Sequence, residues 1–473
     1  MSSRREFIKG ALITGAAFTI YKPDLIGATL FSADPWKTEY PRILKRIKAP
    51  VFPKRDFVVT KFGAKADNTS DSTEAFQKAI AACNKAGGGR VVVPAGTFLT
   101  GAIHLLSNVN LVVSKGATIR FSKDPSKYLP VVFSRWEGTE LMNYSPFIYA
   151  FEQTNVAITG EGTLDGQSGN DSWWPWNGRA GYGWQEGTPN QRNDRNALQQ
   201  MAEKGVPVTE RVFGAGHFLR PQFIQPYRCK NVLIEGVSII NSPMWEIHPV
   251  LCNNVIVRGV KIKSHGPNND GCDPESCSDV LIENCDFDTG DDCIAIKSGR
   301  NADGRRLKAP TENIIVRGCR MRDGHGGITV GSEISGGVRN LFAENNNLDS
   351  PNLDHALRVK NNAMRGGLLE NFYFRDIKVG QVAHAVITID FNYEEGAKGG
   401  FTPIVRNYSV ERLTSSKSKH ALDVQGLNGA PIYDIHLANC TFDNVGDPSI
   451  VKNVSGMSLN NVKINGKEVE SLP

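Results

Sequence analysis

Four short polar motifs carry the residue types that acid–base chemistry needs. Asn268-Asn269-Asp270-Gly271 and Gly290-Asp291-Asp292 supply three carboxylates, with Asp270 and Asp291 21 residues apart. Gly324-His325-Gly326 adds an imidazole, and Arg358-Val359-Lys360 adds two cations. Singly, each motif is a common turn or an exposed strand face. Together they suit cleavage of a glycosidic bond. One carboxylic acid protonates the leaving oxygen, and a carboxylate acts from the opposite face of an oxocarbenium-like state. Three crowded carboxylates repel one another, so at least one should have a raised pKa and hold a proton. Arg358 and Lys360 suit a substrate that itself bears a carboxylate, which arginine can grip with two hydrogen bonds.

These residues act as one site only if the fold stacks them. A loose repeat runs through the chain, with copies starting at Asn231, Asn254, Asp279, Asn313 and Asn340, 23, 25, 34 and 27 residues apart. A period in the twenties with short β-branched strands predicts a solenoid of stacked parallel strands, a β-helix, with the longer spacings as inserted loops. Asp291 and Asp292 follow their start by 12 and 13 residues, and His325 follows the next start by 12. His325 is therefore expected on the same face one coil on. Arg358 and Lys360 alternate to one side of their strand and should point the same way.

The sixth residue after each start is Val237, Val260, Cys285, Cys319 or Asn346, and Cys440 stands likewise six after Asp434. Alternation puts this position on one face, so it reads as an interior column. Cys229, Cys252 and Cys277, two residues before three starts, suggest a second. The nine cysteines thus read as buried spacers. None has zinc-site spacing. Upstream, Asp71-Ser72-Thr73-Glu74 resembles a capping box opening a helix that Gly87-Gly88-Gly89 ends. A short helix before many strands would cap the exposed end of a solenoid. One catalytic domain is expected over residues 56–473, preceded at 34–55 by an extended lead-in containing Pro35, Pro41, Pro50 and Pro53. Residues 166–216 interrupt the repeat with Trp173-Trp174-Pro175-Trp176, Tyr182 and Trp184. They either wall off one end of the cleft or pack on themselves.

Arg4-Arg5, Phe7 and Lys9 precede the apolar run from Gly10 to Ile20, as in a twin-arginine signal peptide. Residues 1–33 are assigned to it, with Ala28 or Ala33 ending the signal. The protein is therefore expected to be exported, periplasmic or secreted, without a membrane span once the signal is removed. A formal charge of +5 without a basic stripe does not suggest nucleic acid. It is compatible with a polyanionic substrate.

The four motifs, in this order, resemble those of the polygalacturonase family of glycoside hydrolases, family 28, and the interruption at 166–216 is similar to the extra loops of its exo-acting bacterial members. That family carries Asn-Thr-Asp, Gly-Asp-Asp, Gly-His-Gly and Arg-Ile-Lys on a single-stranded right-handed parallel β-helix. Phe62-Gly63-Ala64-Lys65 and Val93-Pro94-Ala95-Gly96 extend the resemblance to roughly residues 56–450. It implies inverting hydrolysis of α-1,4-galacturonosyl linkages, with Asp291 as general acid and Asp270 and Asp292 activating water. An inverting pair is expected roughly 6.5–9.5 Å apart. His325 would support protonation of the acid, and Asn268, Arg358, Lys360 and Tyr393 would bind substrate. No cofactor or metal is implied. The partner is an acidic polysaccharide or oligosaccharide, and a monomer is expected. The chain departs from the family pattern at Asn269 and Val359, side chains expected to point away from the cleft. Relatives that hydrolyse rhamnogalacturonan also vary at the first of these motifs, so that substrate is an alternative. Two further alternatives are a calcium-dependent pectate lyase on the same fold and a non-catalytic β-helix binding protein.

Overall fold

The structure is a computed structural model and describes residues 34–472. The signal peptide assigned to 1–33 lies outside the described residues. The chain winds into a right-handed parallel β-helix. The strands Lys230–Glu235, Asn253–Arg258, Ser278–Glu283, Thr311–Arg317 and Val338–Glu344 lie side by side in one sheet. Their register pairs Val232 with Val255, Val280, Ile314 and Leu341 in turn. The opposite face is a second parallel sheet that includes Ile294–Ile296, Ile328–Val330, His355–Lys360, Ala385–Asp390 and His420–Gln425.

Each repeat opens on Asn for a reason the coordinates make plain. Asn231, Asn254, Asn313 and Asn340 all have φ near +60°, just inside the start of their strands, at a position the parallel register skips. Asn tolerates that left-handed conformation better than most residues. Their amides form a ladder along the helix: Asn254 Nδ2 donates to Asn231 Oδ1 (2.8 Å), and Asn340 Nδ2 to Asn313 Oδ1 (3.0 Å). At the one Asp in this series, Asp279, Arg46 replaces the ladder partner with a salt bridge of 2.6 Å.

Val237, Val260, Cys285, Cys319 and Asn346 are all at most 2% exposed, forming the expected interior column. Asn346 is polar there because its amide is used: Oδ1 accepts from Cys319 N (2.9 Å) and Nδ2 donates to Val316 O (3.1 Å). Cys229, Cys252 and Cys277 form the second column. Each of the first two donates its backbone N–H to the next sulfur, at 3.3 and 3.4 Å. All nine cysteines are buried free thiols.

Two local expectations are corrected. The lead-in is not simply extended, because Glu39–Arg46 forms helix α1. Pro41 falls in its first turn, where a missing N–H costs nothing. Tyr40, Ile43 and Ile47 cover an outward apolar stripe of the first sheet: Ala157, Leu233, Ile256, Leu281, Ile315 and Phe342. That burial drives the helix. Helix α2, Thr73–Lys85, does cap the solenoid end, but without a capping box. Asp71 Oδ1 instead accepts from Thr73 N (2.9 Å), and Glu74 pairs with Lys78 (2.7 Å).

Candidate active site

Stacking decides the geometry of the site. Gly271 N donates to Asp292 O across neighbouring coils (3.0 Å), which sets Asp270 against Asp292. Asp291 is the residue beside it, and its own Oδ1 accepts from Asp292 N (2.9 Å). Nearest carboxylate oxygens of Asp270, Asp291 and Asp292 all lie within 4.8 Å of one another. This is closer than the separation expected of an inverting pair. The reason is that Asp291 and Asp292 are consecutive residues and Asp270 sits one coil before them, about 4.8 Å away across adjacent parallel strands.

One coil on, His325 Nδ1 is 3.1 Å from Asp291 Oδ1. Another coil on, Lys360 Nζ bonds Asp292 Oδ2, while Thr329 Oγ1 donates to Asp292 Oδ1 (3.0 Å). Arg358 reaches the same carboxylate at 3.8 Å and donates to His325 O (3.2 Å). Tyr393 lies beside both cations, with its ring centroid 5.8 Å from the Arg358 guanidinium and 5.4 Å from Lys360 Nζ. Asn268 has φ of 56°, and its Oδ1 accepts from Arg220 (2.7 Å). The structure therefore brings together every residue singled out from the sequence. The two departures point inward as expected. Asn269 is fully buried, its Oδ1 accepting from Ser264 Oγ (2.6 Å) and Gly266 N (2.8 Å), and Val359 is 1% exposed.

Electrostatics separates Asp270 from Asp291. Burial raises the Asp291 carboxyl, but the hydrogen bond and charge of His325 outweigh it and hold it below the usual range. The same hydrogen bond and charge raise His325, against burial, to about 9. Burial and the charge of Asp291 push Asp270 well up, against Lys297 at 3.5 Å. The carboxyl most inclined to hold its own proton is therefore Asp270, not Asp291. For Asp291 the proton sits on its histidine partner. Each carboxylate already meets a cationic side chain, so a bound calcium would have to compete with them.

Residues not recognised in the sequence complete the site. Lys297 stands between Asp270 and Glu333, with Trp245 against its ammonium at 4.3 Å. Glu246 is wholly buried, and burial and the charge of Asp270 push its carboxyl well up. Lys297 pairs across the sheet with Glu275 and lies in the column that leads on to Lys360, so strict coil counting could have found it. Nothing local marks Glu246. Asp291, His325, Asp354, Arg358, Lys360 and Tyr393 line one side of a cavity of about 410 Å³. The other side comes from the insertion, through Asn177, Arg179, Gln191 and Arg195. The aromatic cluster serves packing: Trp173 is 3% exposed and meets Phe147 and Tyr128, and Trp176 meets Tyr144 and Phe218. Segment 166–216 thus lines the cavity with some side chains and packs with others.

Comparison with known proteins places this arrangement. Residues 215–466 match the family model described as glycosyl hydrolases family 28, and 57–120 match one described as rhamnogalacturonase A/epimerase, pectate lyase-like. A hyperthermoactive exopolygalacturonase from Thermotoga maritima is 47% identical, with a TM-score of 0.90 over 93% of this chain and 99% of that one. An exo-poly-alpha-D-galacturonosidase of Dickeya chrysanthemi is 25% identical over 88% of this chain and 72% of its own. An endo-polygalacturonase of Pectobacterium carotovorum is 28% identical over 79% and 85%. With more than half its length matched by the family model and its four polar motifs converging on one cavity, this chain belongs to family 28 of the glycosyl hydrolases.

Proposed function

We propose that the protein is an exo-acting polygalacturonase, hydrolysing α-1,4-galacturonosyl linkages at the ends of galacturonan chains. The observation that carries this is the cavity itself, with Asp291, His325, Arg358 and Lys360 on the coil side and the insertion lining the other, and with Asp270 in the smaller cavity that adjoins it at Asp291 and Lys360. The proton shared by His325 and Asp291 passes through Asp291 to the leaving glycosidic oxygen as the C–O bond breaks. A water attacks the anomeric carbon from the opposite face and gives its proton to Asp292, with Asp270 orienting it. Asp270 lines a small cavity beside Asp291, and its Oδ1 has no protein hydrogen-bond partner. Both Asp292 oxygens are engaged, by Thr329 and Lys360, and Asp270 is inclined to stay protonated. Neither is a good nucleophile, which favours attack by water and inversion despite the short spacing. Arg358 and Lys360 hold a galacturonate carboxylate.

Sizing the early products from polygalacturonate tests the proposal. Mono- or digalacturonate alone is expected, and a ladder of oligomers would refute exo-action. An initial product that retains the α configuration by proton NMR would rule out inversion. Rhamnogalacturonan fragments should be left intact.

Export through the twin-arginine route belongs to the same proposal, supported by Arg4-Arg5 and the apolar run after them. Among the described residues, no helix is long and apolar enough to cross a membrane. Replacing Arg4-Arg5 by Lys-Lys should retain the protein in the cytoplasm.

A further inference from the structure

The insertion side of the cavity has the makings of a binding site in its own right. Among the basic side chains lining the cavity, Arg195 pairs with Glu137 (2.7 Å), while Lys360 and Arg358 face Asp292. Arg179 is exposed and makes no ion pair among the described residues. Next to it, Asn177 is 8% exposed, and its Oδ1 is buried without a hydrogen-bond donor. An unmet acceptor in a polar cavity calls for a donor from a ligand.

Behind them lies Arg220, fully buried and without an ion pair among the described residues. Its guanidinium donates to Gln191 Oε1 (3.1 Å), Pro243 O (2.8 Å), Pro267 O (2.6 Å) and Asn268 Oδ1 (2.7 Å). Burial, with the like charge of Arg179 and against Glu137, pushes its pKa down to about 9. Holding a cation there is costly unless an anion comes close. Arg220 also fixes two amides: with Gln191 and Asn268 presenting oxygen to it, their N–H₂ groups are left for the cavity. The loop is tied to itself: Gln191 N donates to Trp176 O (2.7 Å) and Arg192 Nη2 to Gly178 O (2.7 Å).

We propose that Arg179 and Asn177 form a second uronate subsite, with Arg179 binding the carboxylate of the terminal galacturonate and Asn177 Oδ1 accepting from one of its hydroxyls. Arg220 is a positioning residue that acts through Gln191 and Asn268. This rests on the exo reading, because only a chain end can meet a closed wall. The subsite makes the enzyme read two carboxylates, one through Arg358 and Lys360 and one through Arg179.

The test uses trigalacturonate and its two forms bearing a single methyl ester on one terminal residue or the other. For the wild-type enzyme, one of these esters should lower kcat/KM by roughly tenfold to a hundredfold, the range expected for a charge-assisted hydrogen-bonded pair. Arg179→Gln should lose a similar factor on the free acid and no longer distinguish that ester from it. Arg179→Lys should recover part of the loss. If Arg179→Gln keeps the wild-type discrimination, the carboxylate is read elsewhere and the subsite is refuted while exo-action stands. Oligomer ladders from the wild-type enzyme on long polygalacturonate would instead refute exo-action, and the subsite with it.

Discussion

His325 Nδ1 lies 3.1 Å from Asp291 Oδ1, and the pair shares one proton that rests on the histidine. As the proposed general acid, the pair would stay loaded at neutral pH even though the carboxyl alone would be ionised. The proton is lost only as pH rises through the histidine's value of about 9. The kcat/KM profile should therefore hold through neutral pH and fall on a basic limb near 9. His325→Gln should remove that limb and lower activity throughout. The stability term has the same sign: His325 is raised from 6.5, so its contribution is complete below 6.5 and fades as pH climbs to about 9.

Asp291→Asn removes the donor without changing shape. Turnover of polygalacturonate should fall by roughly 10²–10⁴, the usual worth of a general acid. An aryl galacturonide whose leaving group needs no proton should lose much less. Equal loss on both substrates would mean that Asp291 is not the acid.

Deleting residues 34–48 would uncover the apolar stripe beneath Tyr40, Ile43 and Ile47. Loss of three such anchors should cost several kcal/mol, at about 2 kcal/mol each, and promote aggregation. Thermal melting and light scattering would register both effects. Asn254→Ala should be milder, about 2 kcal/mol, from the lost bonds to Asn231 Oδ1 and Lys48 O and left-handed strain.

A thiol reagent should find no reactive cysteine in the native protein and all nine after denaturation. Reductant should change neither activity nor melting temperature. A native thiol that reacts quickly would contradict the buried columns.

The sequence by itself determined the coil. Its repeated starts give the period, its β-branched strands stack, and small residues at the sixth position fill the interior, all set by spacing along the chain. Because a solenoid converts sequence offset directly into position, the same counting placed Asp270, Asp291, Asp292, His325, Arg358 and Lys360 on one face. The tertiary structure alone decided what depends on contacts between distant segments. It turned a proline-rich lead-in into α1, since the stripe that helix covers is assembled from six separate coils. It brought the insertion across the cleft, and it left Arg220 buried behind Asn268. It also decided where the proton sits. Charge and burial at Asp270, Asp291 and His325 are sums over neighbours from several turns, and no local spacing encodes them.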